Sequence, residues 1–250
     1  MNDFTGKVVL VTGGSSGIGR ATAIMFGKQG AKVVVANRRV KEGQETVTMI
    51  KDAGGEATFT QTDVRIASQV ESLVGKTVEK YGRLDIAFNN AGVGGIWARM
   101  VRESEESFDA MVDTNLKGVW LSMKYEIPVM QKQGGGVIIN NASIAGIATA
   151  ERLAVYSASK FGAVGLTNAA AREYGVDRIR IVAICPGWIK TPMIEPLMQR
   201  QDWAKVAFDT IPLKRLGEPE DVAKLVTWLA SDAASFITGG TIAISGGMNI

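Results

Sequence analysis

The sequence predicts an α/β fold: a doubly wound parallel sheet of seven strands, flanked by helices and formed as a single domain. Short apolar runs rich in Val and Ile alternate along the chain with longer segments in which apolar residues recur at helical spacing. The runs are continuous rather than interrupted by polar residues, which is typical of parallel strands buried on both faces. The chain of 250 residues contains no repeat and no linker-like segment, so one domain spanning residues 1–250 is expected.

One strand is expected for each apolar run. The runs are Lys7–Val11, Lys32–Ala36, Ala57–Gln61, Leu84–Phe88, Gly136–Asn141, Ile179–Ile184 and Thr241–Ile244. Helical spacing is clearest in two sets of residues between them, Ala21, Ile24, Met25 and Lys28, and Val70, Leu73, Val74 and Val78. Repetition of strand, helix and strand gives an open parallel sheet, whereas a closed barrel needs about eight strands. Ligands bind such sheets beyond the carboxyl ends of the strands, so the residues that follow each strand are the candidates for a site.

The composition excludes several kinds of catalytic site. The chain has no His, so it can form no Ser-His-Asp or Cys-His catalytic group and no His-ligated zinc site by itself, and no metal is expected. The single Cys185 excludes an internal disulfide framework, which fits a reducing compartment. A net charge of +3 gives no reason to expect nucleic acid or a membrane surface as a partner. No apolar run approaches the ~20 residues of a membrane span, so a cytoplasmic location is expected.

A glycine-rich turn follows the first strand and opens a helical segment. It reads Thr12-Gly13-Gly14-Ser15-Ser16-Gly17-Ile18-Gly19. Glycines there let the backbone approach a pyrophosphate, and a helix N-terminus offers amide donors and the positive end of its dipole. The spacing alone is weak, but its position between a strand and a helix favours a dinucleotide site over a flexible turn.

The end of the second strand indicates which dinucleotide. The chain reads Ala36-Asn37-Arg38-Arg39 where NAD-binding folds usually carry an acidic residue that contacts the ribose. Asn37 is uncharged, and the guanidinium of Arg38 is suited to a ribose 2′-phosphate. NADP is therefore expected to be preferred, with NAD as the second option; the alternative is that Arg38 and Arg39 are solvated surface charges.

A tyrosine and a lysine lie one helical turn apart in the segment Tyr156-Ser157-Ala158-Ser159-Lys160. A nearby ammonium favours the phenolate, so the pKa of Tyr156 is expected to fall from about 10 toward neutrality, as a general acid/base requires. Ser143 follows the strand Gly136–Asn141, where its hydroxyl can contact a substrate carbonyl oxygen. The alternative is a surface contact between Tyr156 and Lys160 without chemistry.

With these residues in place, the chain resembles the short-chain dehydrogenase/reductase superfamily, in its compact single-domain branch with a Rossmann-like fold. The resemblance covers nearly the whole length, and the motifs come in the family's order. They are Thr12-Gly13-x-x-x-Gly17-Ile18-Gly19, Asp63-Val64, Asn89-Asn90-Ala91-Gly92, Asn115, Ser143, Tyr156-x-x-x-Lys160 and Pro186-Gly187-x-Ile189-x-Thr191.

The resemblance implies a role for each motif. Tyr156 would be the acid/base, Lys160 would lower its pKa and bind the nicotinamide ribose, Ser143 would orient the substrate oxygen, and Asn115 would hold a water that links Lys160 to solvent. The resemblance also implies contacts to each part of the cofactor. The pyrophosphate would be bound by Gly13, Ser15, Ser16, Gly17, Ile18 and Gly19, the ribose by Asn37 and Arg38, and the adenine by Asp63 and Val64. The adenosine ribose and central strands would be contacted by Asn90, Ala91 and Gly92, and the carboxamide by Pro186, Gly187, Ile189 and Thr191.

The expected function is that of an NADP-preferring carbonyl reductase or alcohol dehydrogenase, which transfers a hydride between nicotinamide and a ketone or secondary alcohol. Reduction of a 3-oxoacyl thioester and oxidation of a glucose-type sugar are the alternatives among enzymes, and a non-catalytic nucleotide-binding regulatory protein is the alternative from another class. Aromatic and apolar residues between about 188 and 213 predict a lid over a partly hydrophobic small-molecule substrate, unless they only pack against the domain or a neighbouring subunit. The resemblance also implies a homotetramer.

Overall fold

The protein, in a computed structural model that describes residues 3–95, 97–149, 151–199 and 203–248, contains one parallel sheet of seven strands. The strands are β1 Val8–Thr12, β2 Lys32–Asn37, β3 Glu56–Gln61, β4 Ile86–Asn89, β5 Gly136–Asn141, β6 Ile179–Pro186 and β7 Thr241–Ile244. The predicted α/β class and all seven predicted strands are confirmed, each within two residues of its observed ends. The largest differences are at β4, which begins two residues later than predicted, and at β6, which extends to Pro186.

Helices connect the strands and cover both faces of the sheet. They are α1 Gly17–Lys28, α2 Val40–Asp52, α3 Ala67–Tyr81, α4 Glu105–Met111, α5 Gly118–Gln133, α6 Ala154–Tyr174, α7 Glu195–Met198, α8 Trp203–Thr210 and α9 Pro219–Ala230. A short π-helical turn, Val112–Lys117, joins α4 to α5. Among the described residues, none of the helices has the length and apolar character needed to cross a membrane.

The two faces of the sheet bury separate cores, which explains why the strands are apolar throughout. Val9 and Val11 of β1 pack with the side chains of α1, α2 and α9, whereas Leu10 between them packs with those of α3, α5 and α6. Successive side chains of a strand point to opposite faces, so a strand covered on both faces needs apolar residues at every position.

The strand order β3-β2-β1-β4-β5-β6-β7 places the site. The chain leaves β1 toward β2 and β3 on one side and returns to β4 on the other, so the crevice beyond the carboxyl ends of β1 and β4 is open to a ligand. The glycine-rich turn follows β1, and Asn90 follows β4 at this same edge.

The segment predicted as a lid, about residues 188 to 213, carries α7 and α8, and its residues 200–202 lie outside the described part of the chain. Ile194, Trp203 and Ala207 form a small core of their own, with Trp188 and Leu197 packed against it. Part of the apolar content of this segment therefore holds the segment together.

Candidate active site

A cleft of about 560 Å³ runs along the carboxyl ends of the strands. One part, the cofactor half, is lined by Gly13 and by residues 15–18, 37–39, 63–64 and 90–92. The other part, the substrate half, is lined by Trp97, Ile144, Leu153, Trp188 and Met193. All predicted catalytic and cofactor residues line this cleft except Gly19 and Asn115, which are buried beside it. Tyr156 and Lys160 line it where the two halves meet.

Close packing explains two of the glycines in the turn after β1. Gly13 has a φ of +65°, and a Cβ there would lie 2.8 Å from Asn90 Nδ2. A Cβ on Gly19 would collide with the carbonyl oxygen of Gly13. The turn thus folds tightly against β4, and α1 begins at Gly17 with no acidic residue in its first turn. Such a helix start, at the edge of a cleft, fits a pyrophosphate.

Asn90 fastens this turn to the sheet. Its Nδ2 donates to the carbonyl oxygens of Thr12 at 3.1 Å and Gly13 at 3.2 Å, and its Oδ1 accepts from Asn141 Nδ2 at 2.9 Å. The Thr12 hydroxyl accepts from the backbone N–H groups of Asn90 at 3.1 Å and Ala91 at 3.2 Å. The Asn90 side chain, which the motif assigns to the adenosine ribose, therefore also joins the ends of β1, β4 and β5.

The two arginines after β2 differ in their contacts. Arg39 donates through Nη2 to Ser15 Oγ at 2.9 Å and Ser16 Oγ at 3.0 Å, so it reaches across to the glycine-rich turn. Arg38 also lines the cleft. The Asn37 amide donates to the Arg39 carbonyl oxygen at 2.6 Å. Sequence reasoning selected Arg38 and missed Arg39, although two adjacent cations were visible in the sequence.

Asp63 is held in one orientation by Arg65. The Arg65 guanidinium donates to both carboxylate oxygens, with Nη2 at 2.6 Å from Oδ2 and Nε at 3.0 Å from Oδ1. These hydrogen bonds are the main reason that the pKa of Asp63 lies below its usual value. Asp63 is therefore a fixed, ionised acceptor at the end of the cleft that the motif assigns to adenine.

Ser143, Tyr156 and Lys160 come together as the sequence predicted. Lys160 Nζ lies 5.8 Å from the centre of the Tyr156 ring and donates to the Asn141 carbonyl oxygen at 2.9 Å. Ser143 follows β5, and its Oγ accepts from the Ala145 N–H at 3.1 Å. The Ser143 side chain lies close enough to Tyr156 to lower the pKa of its hydroxyl.

Burial dominates the protonation of this group. It raises the pKa of Tyr156, and the hydrogen bond with Ser143 opposes that rise only in part. Burial also lowers the pKa of Lys160 to about 8. The expectation that Lys160 brings the pKa of Tyr156 down toward neutrality is therefore wrong for the side chains by themselves, because burial raises that pKa and Lys160 is not among the groups that lower it. Sequence spacing carries no information about that burial.

Asn115 lies in the π-helical turn and is fully buried. Its Oδ1 accepts from the Val93 N–H at 2.9 Å, and its Nδ2 donates to the Val93 carbonyl oxygen at 3.0 Å and to Ser159 Oγ at 3.1 Å. Both amide hydrogens are thereby used, so the side chain holds the segment after β4 against α6. A water at Asn115 would have to bind its backbone carbonyl or the remaining lone pair of Oδ1.

The substrate half is apolar and aromatic. The rings of Trp97 and Trp188 stack with centroids 6.2 Å apart and planes 10° apart, and Trp203 meets Trp188 edge-on at 5.8 Å. Among the described residues, the charged side chains that line the cleft are Arg38, Arg39, Asp63 and Lys160. Lys160 is the one that reaches the substrate half. This part of the cleft thus favours an uncharged, apolar molecule.

Comparison with known proteins agrees with this geometry. Residues 13–249 match the family model described as enoyl-(acyl carrier protein) reductase. The chain is 40% identical to the cyclohexanol dehydrogenase of Acinetobacter sp. (strain SE19), over 245 residues that cover 98% of this chain and 96% of that protein. The chain belongs to the short-chain dehydrogenase/reductase family. The resemblance that the motifs indicated is confirmed, and the protein is an oxidoreductase of this type.

Two further members of the family cover the same length. The 3-oxoacyl-(acyl-carrier-protein) reductase of Thermotoga maritima is 39% identical, with 98% of each chain covered. The crystal structure of a levodione reductase superposes with a TM-score of 0.93 at 38% identity, over 98% of each chain. The short-chain dehydrogenase/reductase fold is therefore shared along the whole sheet and both layers of helices.

Enzymes of this family use a nicotinamide dinucleotide, and the residues of the cofactor half fit one. The cleft is lined by the tight turn at Gly13, the start of α1 at Gly17, the oriented carboxylate of Asp63 and the two arginines after β2. Among the residues that the structure describes, no group of three or more His, Cys, Asp or Glu side chains is placed to hold a metal ion.

Proposed function

We propose that this short-chain dehydrogenase/reductase is an NADP-preferring enzyme that interconverts an apolar cyclic secondary alcohol and its ketone. The observation that carries the proposal is the position of Ser143, Tyr156 and Lys160 at the meeting point of the two halves of the cleft. The group lies beside an aromatic wall and opposite no further charged side chain among the described residues.

Tyr156 is the proposed acid/base. A phenol whose pKa is raised by burial keeps its proton at neutral pH, so it can donate that proton to a carbonyl oxygen during reduction. During oxidation the deprotonated form of Tyr156, the phenolate, takes the hydroxyl proton of the alcohol. The bound nicotinamide supplies or accepts the hydride. The protonated form of Tyr156, which the raised pKa maintains near neutral pH, is the form that reduction requires.

Ser143 and Lys160 complete the chemistry of the chain itself. The Ser143 hydroxyl, fixed by the Ala145 N–H, is placed to hydrogen-bond the same substrate oxygen while charge develops on it. Lys160 is anchored by the Asn141 carbonyl oxygen, and its ammonium stabilises the phenolate that remains after proton transfer. Asn115, through Ser159, supports the turn of α6 that carries Tyr156, because the Ser159 hydroxyl donates to the Tyr156 carbonyl oxygen at 2.7 Å.

The preference for NADP is supported by the charges after β2. Neither Asn37 nor the residues beside it offer a carboxylate, and Arg38 and Arg39 offer two guanidinium groups at the rim of the cofactor half. Because Arg39 bridges Ser15 and Ser16, it is held where an anion between β2 and the glycine-rich turn would lie. A ribose 2′-phosphate is such an anion.

The proposed substrate class is supported by the tryptophans. Apolar rings pack well against aromatic walls, and a charged or heavily hydroxylated substrate would find few polar partners in this half. The relative from Acinetobacter is named for a cyclohexane alcohol, which fits the same class. The relative from Thermotoga maritima is named for a 3-oxoacyl thioester, so that class is the second candidate.

A substrate panel tests the proposal. The purified enzyme is given NADPH or NADH with cyclohexanone, a 3-oxoacyl thioester or a linear ketone, and NADP⁺ with cyclohexanol or glucose, while nicotinamide absorbance is followed. We expect the highest catalytic efficiency with NADPH and cyclohexanone. A higher efficiency with the thioester or with glucose would reject the substrate class, and tight nucleotide binding without turnover of any compound would indicate a regulatory protein.

We further propose that the enzyme is a cytoplasmic homotetramer. Trp120 on α5 and Phe161 on α6 are each more than two-fifths exposed, as expected of helices that meet a second subunit. Sedimentation as a tetramer at micromolar concentration is the expected result, and a monomer would contradict it.

A further inference from the structure

A carboxyl group that the proposed chemistry does not use is buried behind the cofactor half. Glu126 lies on α5 and is fully buried. Its Oε2 accepts from Nδ2 of Asn89, the last residue of β4, at 3.0 Å. The same Nδ2 donates its second hydrogen to Asn140 Oδ1 on β5, also at 3.0 Å. Glu126 is therefore bonded to the end of β4 and linked through Asn89 to β5.

The amide and hydroxyl hydrogens of this network are each donated to a neighbouring acceptor. Asn140 Nδ2 donates to Thr167 Oγ1 on α6 at 2.9 Å, and the Thr167 hydroxyl donates to the Ala163 carbonyl oxygen at 2.7 Å. Two buried oxygens are left without a partner, Oε1 of Glu126 and Oδ1 of Asn89. They are the two remaining oxygens of the same carboxyl–amide pair.

One proton on Glu126 satisfies both oxygens. A carboxylic acid can donate from Oε1 to the Asn89 carbonyl oxygen while its other oxygen accepts from the Asn89 amide, which gives a reciprocal pair. An ionised carboxylate would instead leave two buried acceptors of Glu126 and Asn89 unpaired, at a cost that folded proteins rarely bear.

The electrostatic surroundings favour the same protonation state. Burial raises the pKa of Glu126 to about 7, and only the hydrogen bond from Asn89 opposes that rise. No charged side chain takes part. The titratable groups that the neighbouring elements carry into the interior are Tyr81 on α3, Asp85 directly before β4, Tyr125 on α5, Tyr156, Lys160 and Tyr174 on α6, and Cys185 on β6. None of them is among the causes of the raised pKa of Glu126.

The next residue of each strand faces the cleft, because side chains alternate across a sheet. Asn90 follows Asn89 and holds the glycine-rich turn, whereas Asn141 follows Asn140, bonds to Asn90 and offers its carbonyl oxygen to Lys160. The ends of β4 and β5 are thus joined twice, once behind the sheet and once beside the cofactor half.

We propose that Glu126 is a positioning residue that keeps its proton in the folded enzyme at mildly acidic pH and, through its reciprocal pair with Asn89, holds the strand ends that anchor Lys160 and the glycine-rich turn. This role is additional to the proposed function. It acts through Asn89 and Asn140, and Glu126 itself contacts neither substrate nor cofactor.

Three variants separate the parts of this proposal. Glu126→Gln replaces the acid with an amide that forms the same reciprocal pair but cannot ionise. Glu126→Leu removes the pair. Met130→Leu, one turn further along α5 and also fully buried, controls for a change in the same core that leaves the pair intact.

Denaturant unfolding, measured from about pH 5 to about pH 8, tests the proton. The folded state holds a proton that the unfolded state has lost, so the stability that it contributes falls as pH rises toward the raised pKa of about 7. The unfolding constant of the wild type should therefore rise about tenfold per pH unit relative to that of Glu126→Gln up to this value. Met130→Leu should keep the wild-type slope. Parallel curves for the wild type and Glu126→Gln would overturn the proposal.

Nucleotide binding tests the positioning. The dissociation constant for NADPH, measured by fluorescence at about pH 6.5, should rise about tenfold in Glu126→Leu, since a buried amide loses its partner beside the strand ends. It should stay at the wild-type value in Glu126→Gln and in Met130→Leu. Wild-type affinity in a folded Glu126→Leu protein would overturn the positioning role. Neither readout needs a substrate, so both are independent of the proposed substrate class.

Discussion

In the cofactor half of the cleft, side-chain amides and hydroxyls join neighbouring strand ends to one another. The substrate half is instead lined by Trp97 and Trp188, and Trp203 packs against Trp188 from behind. Asn90 and Asn141 join the ends of β1, β4 and β5, each within one residue of a strand. Trp97, Trp188 and Trp203 meet only by stacking and edge contacts. Hydrogen bonds have preferred directions, so they hold the cofactor half in a shape that suits one ligand. Apolar packing has no preferred direction, so the substrate half can accept ligands of several shapes.

The largest effect on the cofactor half alone is expected from a substitution at Gly19. Gly19→Ala places a Cβ against the Gly13 carbonyl oxygen and 2.5 Å from Asn90 Nδ2, so the turn must move away from the sheet. Overpacking of this kind costs about 1–3 kcal/mol, which weakens NADPH binding by roughly ten- to a hundredfold. Fluorescence titration with NADPH measures the change.

Gly75→Ala is the matched control. A Cβ at Gly75, in the exposed face of α3, would meet nothing within 4 Å. This variant should bind NADPH as the wild type does and gain roughly 1 kcal/mol of stability from helix propensity. Equal NADPH affinity in Gly19→Ala and Gly75→Ala would show that the cofactor half is not fixed by this contact.

The next effect concerns the two arginines after β2. The double substitution Arg38→Ala with Arg39→Ala removes charge-assisted hydrogen bonds to a 2′-phosphate, each worth about 1.5–3 kcal/mol, so the catalytic efficiency with NADPH should fall at least about tenfold. The efficiency with NADH should fall much less, since NADH carries no 2′-phosphate and loses only the support that Arg39 gives to Ser15 and Ser16. The single variants rank the two guanidinium groups, and we expect Arg39→Ala to disturb Ser15 and Ser16 as well. An equal loss with both nucleotides would contradict the assigned preference.

The smallest effect is expected in the substrate half. Trp188→Ala removes the ring that contacts both Trp97 and Trp203, and each aromatic pair contributes about 0.5–1.5 kcal/mol beyond its buried area. The KM for cyclohexanone should rise about tenfold while the dissociation constant for NADPH stays unchanged. Trp228→Phe, at a partly exposed ring on α9, serves as the control. A matching loss of NADPH affinity in Trp188→Ala would show that the halves are not separate.

The same contrast explains how far the sequence could predict the site. The glycine-rich turn, Ser143, Tyr156 and Lys160 follow strands or lie on one helix turn, so local patterns were enough to bring them together. Trp97 and Trp188 come from segments about ninety residues apart, and their stacking depends on how the loops pack. The pKa of Tyr156 was predicted in the wrong direction because it depends on burial.

The sequence around Glu126 also indicates a buried polar group. It lies between Met123 and Met130 at helical spacing, on the face of α5 that is otherwise apolar. A charged residue in such a stripe predicts a buried group with a partner on the sheet, although only the structure names Asn89 as that partner. Arg39 is similar, because its reach to Ser15 and Ser16 depends on the path of the chain after β2.

Tyr156→Phe tests the central claim most directly, since it removes one hydroxyl where the two halves meet and leaves both halves otherwise intact. We predict that NADPH-dependent reduction of cyclohexanone falls by about 10²- to 10⁴-fold, the usual contribution of a general acid, while NADPH binds with wild-type affinity. Turnover in Tyr156→Phe close to that of the wild type would contradict the assignment of Tyr156 as the acid/base and, with it, the proposed chemistry of the site.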